Sequence, residues 1–211
     1  MKKLSNFWFG LIFGICIGFL CCYSIYYNRI VSFEKKLSAW DTNGDKKADQ
    51  WKENKGDSIV IQISDNNFDG KPDSWTYYEN EVMVRSAYDT NYDSLPDTWF
   101  YFSNNRLIEY TEYDDNFNGK VDVWTYYKNG IIDSTVTDID ENGKADTWCK
   151  YNNGKIIEAY QSFNNDAVID KKDIYKNSRK IETLLDHNRD GSFDEKVVLD
   201  RYEIIIKRIK L

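Results

Sequence analysis

The phrase DNNFDGKPDSW, Asp65 to Trp75, is written again and again along this chain. Close relatives of it start at Asp41, Asp89, Asp114, Asp138, Ser162 and Asp186, so that seven copies follow one another at spacings of 24, 24, 25, 24, 24 and 24 residues. A fixed period of this length is the mark of a repeat architecture, in which one unit cannot bury its own apolar face and must stack on its neighbours. The period therefore limits the fold before any other feature is read.

Each copy has a second constant part. Trp75-Thr76-Tyr77-Tyr78-Glu79-Asn80 returns as Trp124-Thr125-Tyr126-Tyr127-Lys128-Asn129, then Gly130, and an apolar-rich run such as Val82–Tyr88 or Ile131–Thr137 leads back to the next Asp. Trp, Tyr, Val, Ile and Thr favour strands, and Trp and the first Tyr, two apart, share one face. Asn129-Gly130 and Asn153-Gly154 are hairpin-turn pairs, because both residues accept positive φ. One repeat thus reads as an Asp-rich loop, a strand of about six residues, a turn and a return strand of about seven. The expected fold is all-β: an antiparallel meander of about 14 short strands over residues 41–211, Asp loops along one edge and turns along the other. Rows of Trp51, Trp75, Trp99, Trp124 and Trp148, with Tyr77, Tyr101 and Tyr126 beside them, are expected to stack repeat on repeat. Lys172 and Lys196 replace Trp in the last two copies, as a solvent-facing cap would require. The choice between an open sheet, a closed barrel or propeller, and a solenoid stays open.

The loops carry the chemistry. Counting from the first Asp, positions 1, 3, 5 and 9 are oxygen donors in nearly every copy: Asp41, Asn43, Asp45, Asp49; Asp65, Asn67, Asp69, Asp73; Asp89, Asn91, Asp93, Asp97; Asp114, Asn116, Asn118, Asp122; Asp138, Asp140, Asn142, Asp146; Asp186, Asn188, Asp190, Asp194. Carboxylates this close repel, and a cation would compensate them. Ca2+ takes six to eight oxygen ligands, and a tight loop supplies alternate side chains plus the carbonyl of position 7, here Lys71 and Ser192 in the second and seventh copies. Gly70, Gly119, Gly143 and Gly191 at position 6 give the sharp turn. Asx turns, in which Asp and Asn bond their own backbone, are the metal-free alternative.

These loops resemble those of EF-hands, dockerins and thrombospondin type 3 repeats, and most closely the D-x-N-x-D-G-x-x-D hairpin loop of integrin-like FG-GAP repeats, which DNNFDGKPD matches throughout. The resemblance implies calcium held by positions 1, 3, 5 and 9 and the position-7 carbonyl. It covers nine residues, not the 24-residue unit, so it implies no propeller. The WxYYxNG part is similar, more loosely, to MORN-like hairpin repeats. The bidentate Glu of an EF-hand is missing; Thr76, Phe100 or Val197 stands there. Position 6 is Lys46, Ser94 or Ala167 in three copies, position 5 is Asn in the fourth and fifth, and the sixth begins with Ser162. The expected ranking is therefore second and seventh loops, then first and third, then fourth and fifth, with the sixth empty.

Ahead of the repeats lies an uncharged run, Phe7 to Tyr27, long enough to span a bilayer as a helix and preceded by Lys2 and Lys3. Residues 1–28 read as an N-terminal transmembrane helix acting as a signal anchor. A lipoprotein signal ending at Cys21 or Cys22 and an ordinary cleaved signal are the other readings. All three put residues 30–211 outside the cytoplasm, at the periplasm or cell surface. Residues 29–40 form a linker or half repeat. A net charge of −7 without a basic patch argues against nucleic acid. His187, the one histidine, sits at loop position 2, and Cys149 sits on a strand; no phosphate loop, nucleophile elbow or zinc spacing appears. The chain reads as non-enzymatic: a membrane-anchored calcium-binding repeat protein with a structural, adhesive or interaction role and an unidentified protein or glycan partner. The alternative is a carbohydrate or cell-wall binding module that uses its aromatic rows, with calcium only structural.

Overall fold

The computed structural model describes residues 37–163, 166 and 168–211. The membrane segment expected at residues 1–28 lies outside these residues. Among the described residues no helix is long and apolar enough to cross a membrane.

Among the described residues fifteen antiparallel strands form one sheet in strict chain order. A short opening strand, β1 (Ser38–Trp40), is followed by seven hairpins: β2 (Gln50–Lys55) with β3 (Ser58–Ser64), β4 (Ser74–Glu79) with β5 (Val82–Tyr88), β6 (Thr98–Phe102) with β7 (Ile108–Tyr113), β8 (Val123–Lys128) with β9 (Ile131–Thr137), β10 (Thr147–Asn152) with β11 (Lys155–Gln161), β12 (Lys171–Lys176) with β13 (Arg179–Leu185), and β14 (Glu195–Leu199) with β15 (Ile205–Lys210). The fourteen repeat strands match the expectation, and β1 is the addition. Among the described residues the linear order leaves β1 and β15 without a further strand neighbour, so the meander they form is an open sheet. β1 is only three residues long, and Lys207, Arg208 and Lys210 charge the other edge; both devices discourage further strand pairing.

The period has a local cause. A six-residue strand faces a seven-residue return strand because these hairpins contain a β-bulge at the same place. In β4 and β5, Tyr77 faces Arg85 and Tyr78 faces Met83, so Val84 is the extra residue. A bulge bends the strand and tightens its twist. In four hairpins the two-residue turn has positive φ at both positions, as with 54° and 75° at Asn129 and Gly130, and even Asn80-Glu81 and Asn177-Ser178 adopt this conformation; in the first hairpin, Gly56-Asp57, Gly56 alone does. The single spacing of 25 falls in the third repeat. There Ser103–Leu107 replaces the tight turn, closed by Ser103 N–H to the Leu107 carbonyl at 2.9 Å.

The tryptophans do not stack on one another. Each lies on the first strand of its hairpin, so a return-strand residue separates it from the next: Trp51–Ile63–Trp75–Ala87–Trp99–Glu112–Trp124–Val136–Trp148–Tyr160 is the cross-strand row. Ala87, fully enclosed, fits because two indoles flank it. Beside this row Tyr77, Arg85, Tyr101, Tyr110 and Tyr126 run on the same face. Arg85 lies over Tyr77 and Tyr101 at 5.6 and 5.3 Å, and Tyr101 and Tyr110 stack at 4.0 Å. The opposite face has a row of small side chains, among them Ser86, Thr111, Thr125 and Cys149, flanked by rings such as Phe100, Phe102 and Tyr113. Among the described residues the buried apolar side chains are only Ile61, Trp75, Ala87 and Val197, a thin core for a sheet of this size.

Lys172 and Lys196 continue the tryptophan row but do not point freely into solvent. Their heads pair with Glu158 and Glu182 at 2.6 and 2.7 Å, and Lys172 also lies over the Tyr160 ring. The long stem lies along the sheet while the ammonium finds a carboxylate, which a reading of residue polarity alone misses.

Candidate metal centres

All seven Asp-rich loops lie along one edge, tied to each other through position 9. The Asp73 N–H donates to the Ser64 carbonyl, and the Asp73 carbonyl accepts from Asp89 N–H, the first residue of the next loop, both at 2.8 Å. The same pair of bonds recurs from Asp49 to Asp194. Position 9 is thereby a backbone spine that sets the loops in register.

Within the six loops that begin with Asp the side chains repeat one pattern, seen in the second copy. Asp73 Oδ2 accepts the N–H groups of Asn66 and Asn67 at 2.7 and 3.0 Å. Asp65 Oδ2 accepts Gly70 N–H at 2.7 Å, Asn67 Oδ1 accepts Asp69 N–H at 2.9 Å, and Asp69 Oδ1 accepts Lys71 N–H at 2.8 Å. Asp186, Asn188, Asp190 and Asp194 repeat it, ending at Ser192 N–H. The winding needs positive φ at positions 4 and 6: 62° at Phe68 and 95° at Gly70. Lys46 and Ser94 take up the same conformation without glycine's freedom.

These bonds are Asx-turn chemistry, and in the first and last carboxylates of the second loop they use one oxygen of each. The other oxygen decides whether the loop is complete without an ion. Asp65, Asp122, Asp138 and Asp170 each keep a buried Oδ1 with no hydrogen-bond partner. A buried carboxylate oxygen without a donor is costly, and a hard cation is one group that can satisfy it. Burial pushes the carboxyls of Asp89, Asp122 and Asp138 above their ordinary range, and like-charged neighbours add to the shift, as Asp146 and Asp140 do at Asp138. At Asp49 the hydroxyl of Thr42 wins instead and holds the carboxyl down.

Two triads have carboxylate oxygens gathered within 4.8 Å of one another: Asp41, Asp45 and Asp49 in the first loop, and Asp138, Asp140 and Asp146 in the fifth. Two oxygens on one calcium, each at roughly 2.3–2.6 Å, stand at most roughly 5 Å apart, so both triads are close enough to hold a metal ion. In the second, third and seventh loops the position-5 carboxylate instead takes the amide of the position-3 asparagine, as Asp93 does from Asn91 at 3.0 Å and Asp190 from Asn188 at 3.1 Å. The same amides sit beside a carboxylate from outside the loop in the fourth copy. Glu141, at position 4 of the fifth loop, accepts from Nδ2 of both Asn116 and Asn118. Position 4 has a second such member: Arg189 of the seventh loop stands 3.6 Å from Asp170 Oδ1 in the sixth. Counting ligands inside single loops conceals both. The signal in the sequence is a charge at a position held by Phe68, Tyr92 and Phe117 in other copies.

His187 is exposed at loop position 2 and has a partner after all, Glu195 at 2.9 Å, which Arg208 also engages. Cys149 is half-buried in the row of small residues; burial pushes its thiol up, away from nucleophilic chemistry.

No protein-family model matches the sequence, and no curated protein matches it. Among solved structures, part of the chain is similar to a mutant of S. aureus TarM in complex with fondaparinux, alpha-GlcNAc-glycerol and UDP, at TM-score 0.41 and 10% identity over 58% of this chain and 23% of that one. Accessory secretory proteins 1, 2 and 3 of Streptococcus pneumoniae match at TM-score 0.36 and 13% identity over 44% and 18%. A GtfA/B complex bound to UDP and GlcNAc matches at TM-score 0.36 and 9% identity over 48% and 22%. The chain spans less than a quarter of each of these structures, and similarity this distant carries neither a residue nor an activity across.

Proposed function

We propose that this chain is a calcium-binding repeat protein, anchored in a membrane by residues 1–28 and displayed outside the cytoplasm, with a structural, adhesive or interaction role. The observation that carries the reading is the set of buried Oδ1 atoms of Asp65, Asp122 and Asp138, left without donors while the Oδ2 atom of each carboxylate accepts a backbone N–H. Positions 1, 3, 5 and 9 hold the ion through side chains, and position 7 through its carbonyl. Calcium, when bound, supplies two positive charges to a loop that has three carboxylates. The loops bind in the range typical of extracellular modules, roughly 10⁻⁴–10⁻³ M, so the ion is constitutive and rigidifies the edge. The carboxylates recur with the repeat, as a structural ion requires and a single catalytic centre does not. The partner is a protein or glycan, not nucleic acid.

Terbium tests this reading. Trp51, Trp75, Trp99, Trp124 and Trp148 each stand two residues past a position-9 Asp, so terbium in the loops takes up their excitation. Titration of the protein is expected to give tryptophan-sensitised emission that millimolar calcium displaces. Silence throughout the titration overturns the proposal. A second reading, a carbohydrate-binding module, is favoured by the half-buried rings of Trp99, Tyr101, Tyr110 and Tyr126 on a sheet with no second layer over them among the described residues. Glycan capture that persists in chelator distinguishes it.

A further inference from the structure

The fourth loop is the anomaly among the well-formed copies. The first, second, third, fifth and seventh each have three carboxylates at positions 1, 3, 5 and 9; the fourth has two, Asp114 and Asp122, because Asn116 and Asn118 fill the other places. Read alone, it is a weak site. We infer that Glu141 of the fifth loop is a ligand of the cation bound by the fourth loop, so that this one site is built from two successive repeats. The inference rests on the calcium reading and names the composition of one of its sites.

Three observations converge on it. The Glu141 carboxylate lies against the side-chain amides of Asn116 and Asn118, the two positions that lost their charge. The amide oxygens stay within the loop, where Asn116 Oδ1 accepts Asn118 N–H at 3.1 Å and Asn118 Oδ1 accepts Lys120 N–H at 2.9 Å, each with a lone pair to spare. Asp122 is 6% exposed, and its Oδ1 has no hydrogen-bond partner, so a polar atom awaits a counterpart in the same loop. With Glu141 included, the fourth loop has the same three negative charges as its neighbours.

The backbone explains the reach. Glu141 has φ of 59°, and this left-handed turn at position 4 sends the side chain back over the preceding loop. Arg189, with φ of 60°, does the same in the seventh loop and delivers a positive group to Asp170, in the copy that begins with Ser162. One position thus supplies a carboxylate where a loop is short of charge and a guanidinium where a loop has lost its first ligand.

Calcium bound per chain, measured by equilibrium dialysis through the millimolar range, tests this. Asp146→Asn first disables the fifth loop, so that damage there is not confused with the effect sought, and removes one ion. Glu141→Gln in that background is expected to weaken one further site at least tenfold, and Asn118→Asp, which puts the third carboxylate inside the fourth loop, to restore it. A chain that keeps the same count and affinity after Glu141→Gln overturns the inference while leaving the calcium reading intact; Glu141 then only holds two amides. A chain that binds no calcium in any variant overturns both.

Discussion

Repeats two to four and repeats five to seven share one backbone and differ in what fills it. From β4 to β8 the central row is Trp75, Ala87, Trp99, Glu112 and Trp124, beside the Arg85 sandwich and the tyrosine stack. From β11 to β15 the same row is Tyr160, Lys172, Leu184, Lys196 and Ile209, and charge pairs take over: Lys172 with Glu158, Lys196 with Glu182, and buried Asp173 with Lys171 at 3.0 Å and Thr183 at 2.5 Å. Register, bulge and loop spine are the same in both. The register is therefore set by the loops, bulges and turns, and the filling of the rows varies around it. The two halves should answer differently to mutation, salt and acid.

The largest expected effect breaks the aromatic half. Trp75 is 6% exposed between Ile63 and Ala87, and Trp75→Ala should cost about 3–5 kcal/mol, little changed by salt, in denaturant unfolding. The counterpart in the ionic half is Lys172→Met, with an expected cost below about 1 kcal/mol at low salt and less in molar salt. Burial alone acts to raise the Glu158 carboxyl, but hydrogen bonds from Lys172 and Tyr160 outweigh it and leave the group below its ordinary value. The contribution of this pair is therefore present above the unfolded value near 4.5 and fades as pH falls through the folded one. Unfolding curves at neutral pH and in acid below the folded value check it: the cost of Lys172→Met should disappear in acid.

The smallest expected change has the opposite sign. Glu112 interrupts the aromatic row, accepts the Tyr101 hydroxyl at 2.8 Å, and has its carboxyl pushed up by burial. Burial, with Glu112 beside it, also drives the Tyr110 hydroxyl up to about 12. A raised carboxyl stabilises the fold below its unfolded value near 4.5 and loses that contribution as pH rises through the folded value. Glu112→Gln should then raise the melting temperature at neutral pH and leave it unchanged in acid below the unfolded value. A lower melting temperature at neutral pH would mean that the Tyr101 bond outweighs the burial of charge.

The sequence is legible wherever structure is local. The Asp loop, the six-residue strand, the Asn-Gly turn and the antiparallel order are each carried by residues within one 24-residue unit. What crosses between units is hidden. The tryptophan row reads as direct stacking only until the pairing is known, because a period of 24 places Trp on alternate strands, with Ile63, Ala87 or Val136 in between. The bulge is implicit in strands of six and seven residues, yet its position depends on pairing. Open edges follow from which strands pair across the whole array, which residue types within one unit do not encode. In the loops, positions 1, 3, 5 and 9 follow from spacing alone. Glu141 does not, because its contact joins residues 23 and 25 apart across two turns of the meander.

Strict chain order has a metrical consequence. Neighbouring strands lie about 4.8 Å apart, so each hairpin lengthens the array by roughly 10 Å, and fifteen strands reach roughly 65–70 Å along the ladder direction. Duplicating or deleting one 24-residue unit changes that distance by one step, while the loops away from the junction keep their surroundings. The molecule is a ruler whose graduations are its acidic edge loops, and its reach can be set in whole repeats.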